Sequence, residues 1–271
     1  MNNKDYRKAI LIKGSTGVGK TRLLKEITHF LKLRGREVYY TEITEHDNIE
    51  IKPMANILRQ IIKDTPLNIL EKYGKELVKV LPELRFLLEI EYFNDLAGDR
   101  ERLRLYDRIT NYLEEISKDK PIYLILDNID KCNIQLLFLL DYIIKNMSKG
   151  TLILMISSNE KAFAKEINKK DFLKSWITEG NIEQITVSNL DLSEIGEFIQ
   201  YILGISYKPL KFSAVMLKES QGNPRYIEYM MKNLYSTGEL FLHPEGFWEI
   251  KTKKYSDIYF PSNIDKTLKT K

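Results

Sequence analysis

The stretch KAILIKGSTGVGKTRLLKEITHFLKLRG, residues 8–35, joins a short apolar run to an amphipathic pattern through a glycine-rich loop, and few folds accept that order. Leu23, Leu24, Ile27, Phe30 and Leu31 recur at helical spacing after the loop, so the segment predicts strand, loop, helix. The loop itself, GSTGVGKT, fits G-x-x-x-x-G-K-[ST] in full. Gly14 and Gly19 bracket a turn whose backbone N–H groups surround phosphate oxygens at a helix N-terminus. Lys20 is placed to reach the β- and γ-phosphates, and Thr21 to put its hydroxyl on a magnesium ion. The candidate nucleotide-contacting residues are therefore Gly14, Ser15, Thr16, Gly17, Val18, Gly19, Lys20 and Thr21, with Arg22 beside them.

Such a loop needs a carboxylate for the cation, at the C-terminal end of a neighbouring buried strand. KPIYLILDNIDK supplies one: Ile122 to Leu126 form the continuous apolar run of a parallel strand buried on both faces, and Asp127 ends it. A charge there is costly without a partner, which makes Asp127 the predicted metal ligand together with Thr21. Many ATPases with this loop carry a second carboxylate next in sequence, to orient the attacking water. Asn128 occupies that position, so slow hydrolysis is the expectation. Asp130 either substitutes as that carboxylate or caps the helix beginning near Asn133. Further strands are predicted at 37–44, 151–159 and 181–190, with helices between, giving an α/β fold with a parallel sheet flanked by helices and the ligand at the strands' C-terminal ends. Ser158 and Asn159 end one of these strands and are either a polar sensor of the γ-phosphate or a turn pair.

With these motifs in order, the chain resembles the P-loop ATPase domain of the STAND class, an AAA+-related module of multidomain signalling and transcription regulators. The likeness extends over nearly the whole length: KPMANILRQII (52–62), ELVKVLPELRFL (76–87), the segment 100–127, SNLDLSEIGEFIQYILGI (188–205), and ESQGNPRYIEYMMKNLYSTGELFLHPEGFWEIK (219–251) all look like family segments. The resemblance implies a nucleotide-binding domain over 1–188, a helical lid over 189–236, and a hairpin with the start of a winged-helix region over 237–271. It implies that Gly222 and Pro224 belong to a lid turn near the adenine. Read without the family, Gly-Asn-Pro is a well-formed helix start with Asn223 as N-cap and proline in the first turn. Arg225 departs from the family pattern and resembles the second sensor of AAA+ ATPases, either bridging to the γ-phosphate or standing in solvent.

The resemblance further implies ATP and Mg2+ as cofactors and weak ATPase activity. It makes the other domains of a parent protein, protein partners or further copies of the chain the recipients of the signal. The sequence opens a few residues before its first strand and stops after YFPSNIDKTLKTK, which suggests an excised module. Rival readings are a DNA-associated AAA+ loader of the origin-recognition kind, suggested by GNPR, and a scaffold that holds ATP without hydrolysing it. A small-molecule kinase would need an arginine-rich lid that the sequence does not show. With 42 basic and 38 acidic residues the net charge is +4, too small and too evenly spread to argue for nucleic acid, so nucleic acid enters only through missing domains. One cysteine, Cys132, excludes an intramolecular disulfide and points to a cytoplasmic protein. The most apolar run, QLLFLLDYII at 135–144, is about half of a membrane span, carries Asp141 and reads as a buried helix.

Overall fold

The computed structural model describes residues 7–45, 51–89, 98–159 and 167–252, with Tyr255 and Ile258. The described residues fall into two compact units, one within 1–15 and 20–187, the other within 16–19 and 188–271. The suggested winged-helix opening at 259–271 lies outside the described residues.

In the first unit five parallel strands stand in the order β2-β3-β4-β1-β5, with β1 at Arg7–Gly14, β2 at Glu37–Glu42, β3 at Ile122–Asp127, β4 at Leu152–Asn159 and β5 at Ile182–Thr186. One face of the sheet, lined by Ala9, Leu11, Leu124, Leu126, Leu154 and Ile156, is covered by the larger apolar core. That core draws on α2 (Lys52–Ile61), α3 (Leu67–Leu77), α4 (Leu84–Leu87), α5 (Asp99–Ile116), α6 (Ile134–Asn146) and α7 (Ile167–Thr178). The other face, with Ile12, Val38 and Ile125, packs on Leu24 of α1 (Lys20–Leu33). The inner strands β3 and β4 are covered on both faces and have no polar face to show, which is why their sequences run apolar instead of alternating, whereas the edge strand β5 is exposed beyond Ile182.

α1 stops where the sequence signals it. Gly35 takes φ +67°, and the Arg36 N–H reaches back to the Leu31 carbonyl at 3.1 Å, closing the helix end as a glycine in the left-handed region permits. The apolar run at 135–144 is the buried helix α6, and its one charge is satisfied: Asp141 accepts from Trp176 Nε1 at 2.7 Å and pairs with Lys145 at 2.9 Å. No helix among the described residues is long and apolar enough to cross a membrane.

Two expectations are corrected. The Asp127 strand is not the neighbour of β1, because β4 lies between them, paired to β1 as Gly14↔Asn159 and to β3 as Leu126↔Ile156. The strand predicted to reach residue 190 ends at Thr186; beyond it the Val187 N–H still donates to the Lys13 carbonyl at 2.8 Å.

The second unit holds α8 (Leu192–Leu203), α9 (Leu210–Ser220), α10 (Pro224–Ser236) and an antiparallel hairpin, β6 (Leu240–Leu242) with β7 (Trp248–Ile250). α8 opens with a capping box in which Asp191 and Glu194 take each other's backbone N–H groups. Ile195, Ile199, Phe212, Met216, Ile227, Met230 and Leu234 form its core. Gly222, at φ +79°, separates α9 from α10, and a Cβ there would lie 2.2 Å from the Leu190 carbonyl oxygen. No side chain fits so close to backbone, so this turn requires glycine.

Candidate nucleotide site

The loop between β1 and α1 is shaped around its lysine. Lys20 is 7% exposed, and its ammonium donates to the carbonyls of Gly14 at 2.9 Å and Ser15 at 2.8 Å. Burial lowers its pKa from the ordinary lysine value, opposed by the negative charges of Asp130 and then Asp127. Both acidic residues named from the sequence thus act electrostatically on the lysine of the loop, with Asp130 the stronger. Gly17 and Gly19 take φ of +83° and +109°, conformations that glycine allows at no steric cost. Thr21 is half-buried at the start of α1, whereas Arg22 is exposed and pairs with Glu26 one turn on, at 2.7 Å.

Asp127 is fully buried, and each of its oxygens has a hydroxyl donor. Tyr40 Oη on β2 donates to Oδ2 at 3.1 Å, and Ser157 Oγ on β4 donates to Oδ1. Burial, followed by the charge of Asp127, raises the Tyr40 phenol well above its usual range, so at neutral pH it is a donor. Ser157 Oγ in turn accepts from the Asn128 N–H at 2.8 Å, and Asn128 stands in the left-handed region at φ 63°, ψ 50°. The chain therefore turns sharply just after the carboxylate, and the Asn128 backbone, not its amide group, joins the Asp127 network.

Asp130 does not cap α6. That helix has Asn133 at its N-cap, whose side chain accepts from the Gln135 N–H at 3.0 Å. Asp130 sits in a 3-10 turn with Oδ1 accepting from the Asn159 N–H at 2.8 Å, while its own carbonyl accepts from Lys169 Nζ at 3.4 Å. Of the pair suggested as a polar sensor, Asn159 thus meets Asp130 through its backbone. The Ser158 hydroxyl is buried without a hydrogen-bond partner among the described residues. The hydroxyl that reaches Asp127 belongs to Ser157, one residue earlier and on the opposite face of the strand.

Pro224 and Arg225 begin α10 in the second unit. Asn223 is the N-cap, its Oδ1 accepting from the Tyr226 N–H at 3.3 Å. Its Nδ2 donates to the Thr16 carbonyl at 2.9 Å, and the Arg225 N–H donates to the Gly17 carbonyl at 3.2 Å. A Cβ on Gly17 would lie 2.7 Å from Asn223 Oδ1 and 3.0 Å from Arg225 Cβ, so this glycine admits a close approach of helix and loop. The Arg225 side chain is exposed and forms no hydrogen bond or ion pair among the described residues.

Tyr40, Ser157 and Lys169 belong to no motif that marks them in the sequence. Ser157 had one signal, a polar residue closing an apolar run; Tyr40 looked like any β-forming aromatic.

A model of the AAA ATPase domain matches residues 3–156, more than half of the chain. The chain belongs to the AAA ATPase domain family. Nucleotide binding is the property of that family that the loop geometry accommodates. No curated protein matches the chain. Among solved structures, the Aeropyrum pernix ORC2 protein in ADPNP–ADP complexes is similar at TM-score 0.46 and 13% identity, over 86% of this AAA ATPase chain and 58% of that one. AMPPCP-bound DnaA from Aquifex aeolicus gives 0.45 and 18%, over 86% and 57%. Drosophila ORC bound to AT-rich DNA and Cdc6 gives 0.39 and 10%, over 92% and 83%. This chain spans less than two thirds of the length of the first two.

Proposed function

We propose that this AAA ATPase domain is an ATP-binding regulatory switch, in which the nucleotide held by the loop sets the state of the helical unit. The observation that carries the reading is that loop residues 16–19 belong to the same compact unit as α10, tied to it through Asn223 and the Arg225 N–H. A ligand shifts such an equilibrium only by its differential affinity for the two states. ATP and ADP differ by the γ-phosphate, and the Arg225 guanidinium is the exposed cation beside the loop tip that recognises it. Other domains of a longer protein, partner proteins or further copies of the chain receive the signal.

The oxygen donors fit a hard cation. No group of three or more His, Cys, Asp or Glu among the described residues could hold a metal by itself. One buried carboxylate, Asp127, and one hydroxyl, Thr21, suit Mg2+, which is held by one or two carboxylates together with the substrate's phosphates. When bound, the cation neutralises charge on the β- and γ-oxygens. Lys20 contributes a second positive charge from the loop itself. Asn128 after Asp127 cannot accept a proton, which makes hydrolysis slow and keeps open a second reading, a scaffold that retains ATP.

Isothermal calorimetry with ATP and Mg2+ tests the nucleotide assignment. Binding is expected in the parent protein and lost in Lys20→Ala, with circular dichroism confirming that the variant is folded. Equal affinities in the two proteins would overturn the assignment.

A further inference from the structure

We propose that Tyr40 is a positioning residue for the Asp127 carboxylate, so that β2 determines how tightly the site holds a divalent cation. The proposal rests on the reading of Asp127 as the cation's carboxylate. Asp127 ends the middle of three adjacent strands, and its two hydroxyl donors come one from each side: Tyr40 from β2 and Ser157 from β4. A carboxylate offers about four lone-pair positions. Two neutral donors, one on each oxygen, fix the plane of the group and leave one position on each oxygen for a further ligand. Neither donor carries charge, so the orientation is gained without neutralising the anion that a cation must meet. An arginine in the same place would have fixed the carboxylate and cancelled its charge.

Tyr40 is itself held against movement. β2 is an edge strand, and on β3 Tyr40 pairs with Ile125. On its open side Gln60 of α2 completes the ladder: Gln60 Nε2 donates to the Tyr40 carbonyl at 3.0 Å, and Gln60 Oε1 accepts from the Tyr40 N–H at 3.4 Å. A side-chain amide thus stands in for a neighbouring strand at the residue whose phenol reaches Asp127. The Ser157 hydroxyl is held differently, its oxygen accepting from the Asn128 N–H. Hydrogen-bonding partners of metal-ligating groups commonly change affinity by about 10–100-fold when removed.

The experiment titrates Mn2+ into protein with a fluorescent, non-hydrolysable ATP analogue and reads cation binding by electron paramagnetic resonance. A second arm measures analogue binding in EDTA. Tyr40→Phe is expected to raise the Mn2+ concentration at half-saturation by about tenfold or more while leaving cation-free analogue binding unchanged. A general packing defect would shift both arms. Ser157→Ala should behave alike, and Asp127→Asn should raise the requirement further. If Asp127→Asn moves the Mn2+ titration and Tyr40→Phe does not, the positioning role is wrong and the reading of Asp127 stands. If Asp127→Asn leaves the titration unmoved, the reading of Asp127 is wrong and the proposal goes with it.

Discussion

The Asp130 carboxylate has one oxygen occupied by the Asn159 N–H, and its negative charge opposes the loss of the Lys20 proton. Those two facts separate what a substitution removes. Asp130→Asn keeps an oxygen for the Asn159 N–H but cannot accept a proton, whereas Asp130→Ala removes both. If Asp130 is the base that the side chain of Asn128 cannot be, both variants should lower single-turnover ATP hydrolysis by roughly 10²-fold or more while nucleotide affinity holds. Parent-like turnover in Asp130→Asn with slow turnover in Asp130→Ala would assign the residue to holding the end of β4. The neighbouring Asn128 shows why its side chain gives so little guidance: its backbone, in the left-handed region that asparagine tolerates better than most residues, does the observed bonding.

At the scale of elements, the beginning of α10 is a joint with three functions in three residues. Gly222 supplies a backbone that passes against Leu190, Asn223 caps the helix, and Pro224 fills the first turn, where its missing N–H costs nothing. Asn223 also uses its second amide atom on the loop carbonyl of Thr16. An aspartate keeps the capping oxygen and loses the donor; an alanine loses both. Asn223→Asp is therefore expected to preserve α10, while Asn223→Ala destabilises it by about 0.5–2 kcal/mol in urea denaturation. Both should increase amide exchange at residues 16–19. Unchanged exchange of the loop amides in Asn223→Asp would mean that the Thr16 contact contributes nothing to ordering the loop.

At the scale of the whole molecule the apolar residues described gather in separate cores, one on each face of the sheet and one among α8, α9, α10 and the hairpin, and the last shares no residue with the other two. Only the loop tip, residues 16–19, leaves its place in sequence to join the second unit. On the switch reading, an ATP analogue should protect the amides of residues 219–232 from hydrogen exchange more than ADP does. Arg225→Ala should abolish most of that difference and leave ADP binding intact, since a charge-assisted hydrogen bond contributes about 1.5–3 kcal/mol and only ATP offers the γ-phosphate. Identical exchange with both nucleotides in the parent protein removes the switch and favours the static scaffold.

Local chemistry was legible in the sequence wherever one short segment carried all of it. The loop Gly14–Thr21 declares itself because positive φ at Gly17 and Gly19 and a lysine folding back on the carbonyls of Gly14 and Ser15 are properties of eight consecutive residues. The apolar run ending in Asp127, the helix stop at Gly35 and the cap at Asn223 are local in the same sense. Strand order is not, and β4 between β1 and β3 could not be read from their separate patterns. The partners of Asp127 depend on that order: Tyr40 is 87 residues away and Ser157 is 30 away. The choice of Ser157 over Ser158 is a matter of which face of β4 looks toward Asp127, and adjacent residues on a strand face opposite ways. Asn223 and Thr16 are 207 residues apart, and only the folded backbone makes them neighbours. Sequence determines the chemistry a segment carries, because dihedral preference and side-chain type act over a few residues; tertiary structure decides which segments meet, because hydrogen bonds and charges act at distances that only packing can set.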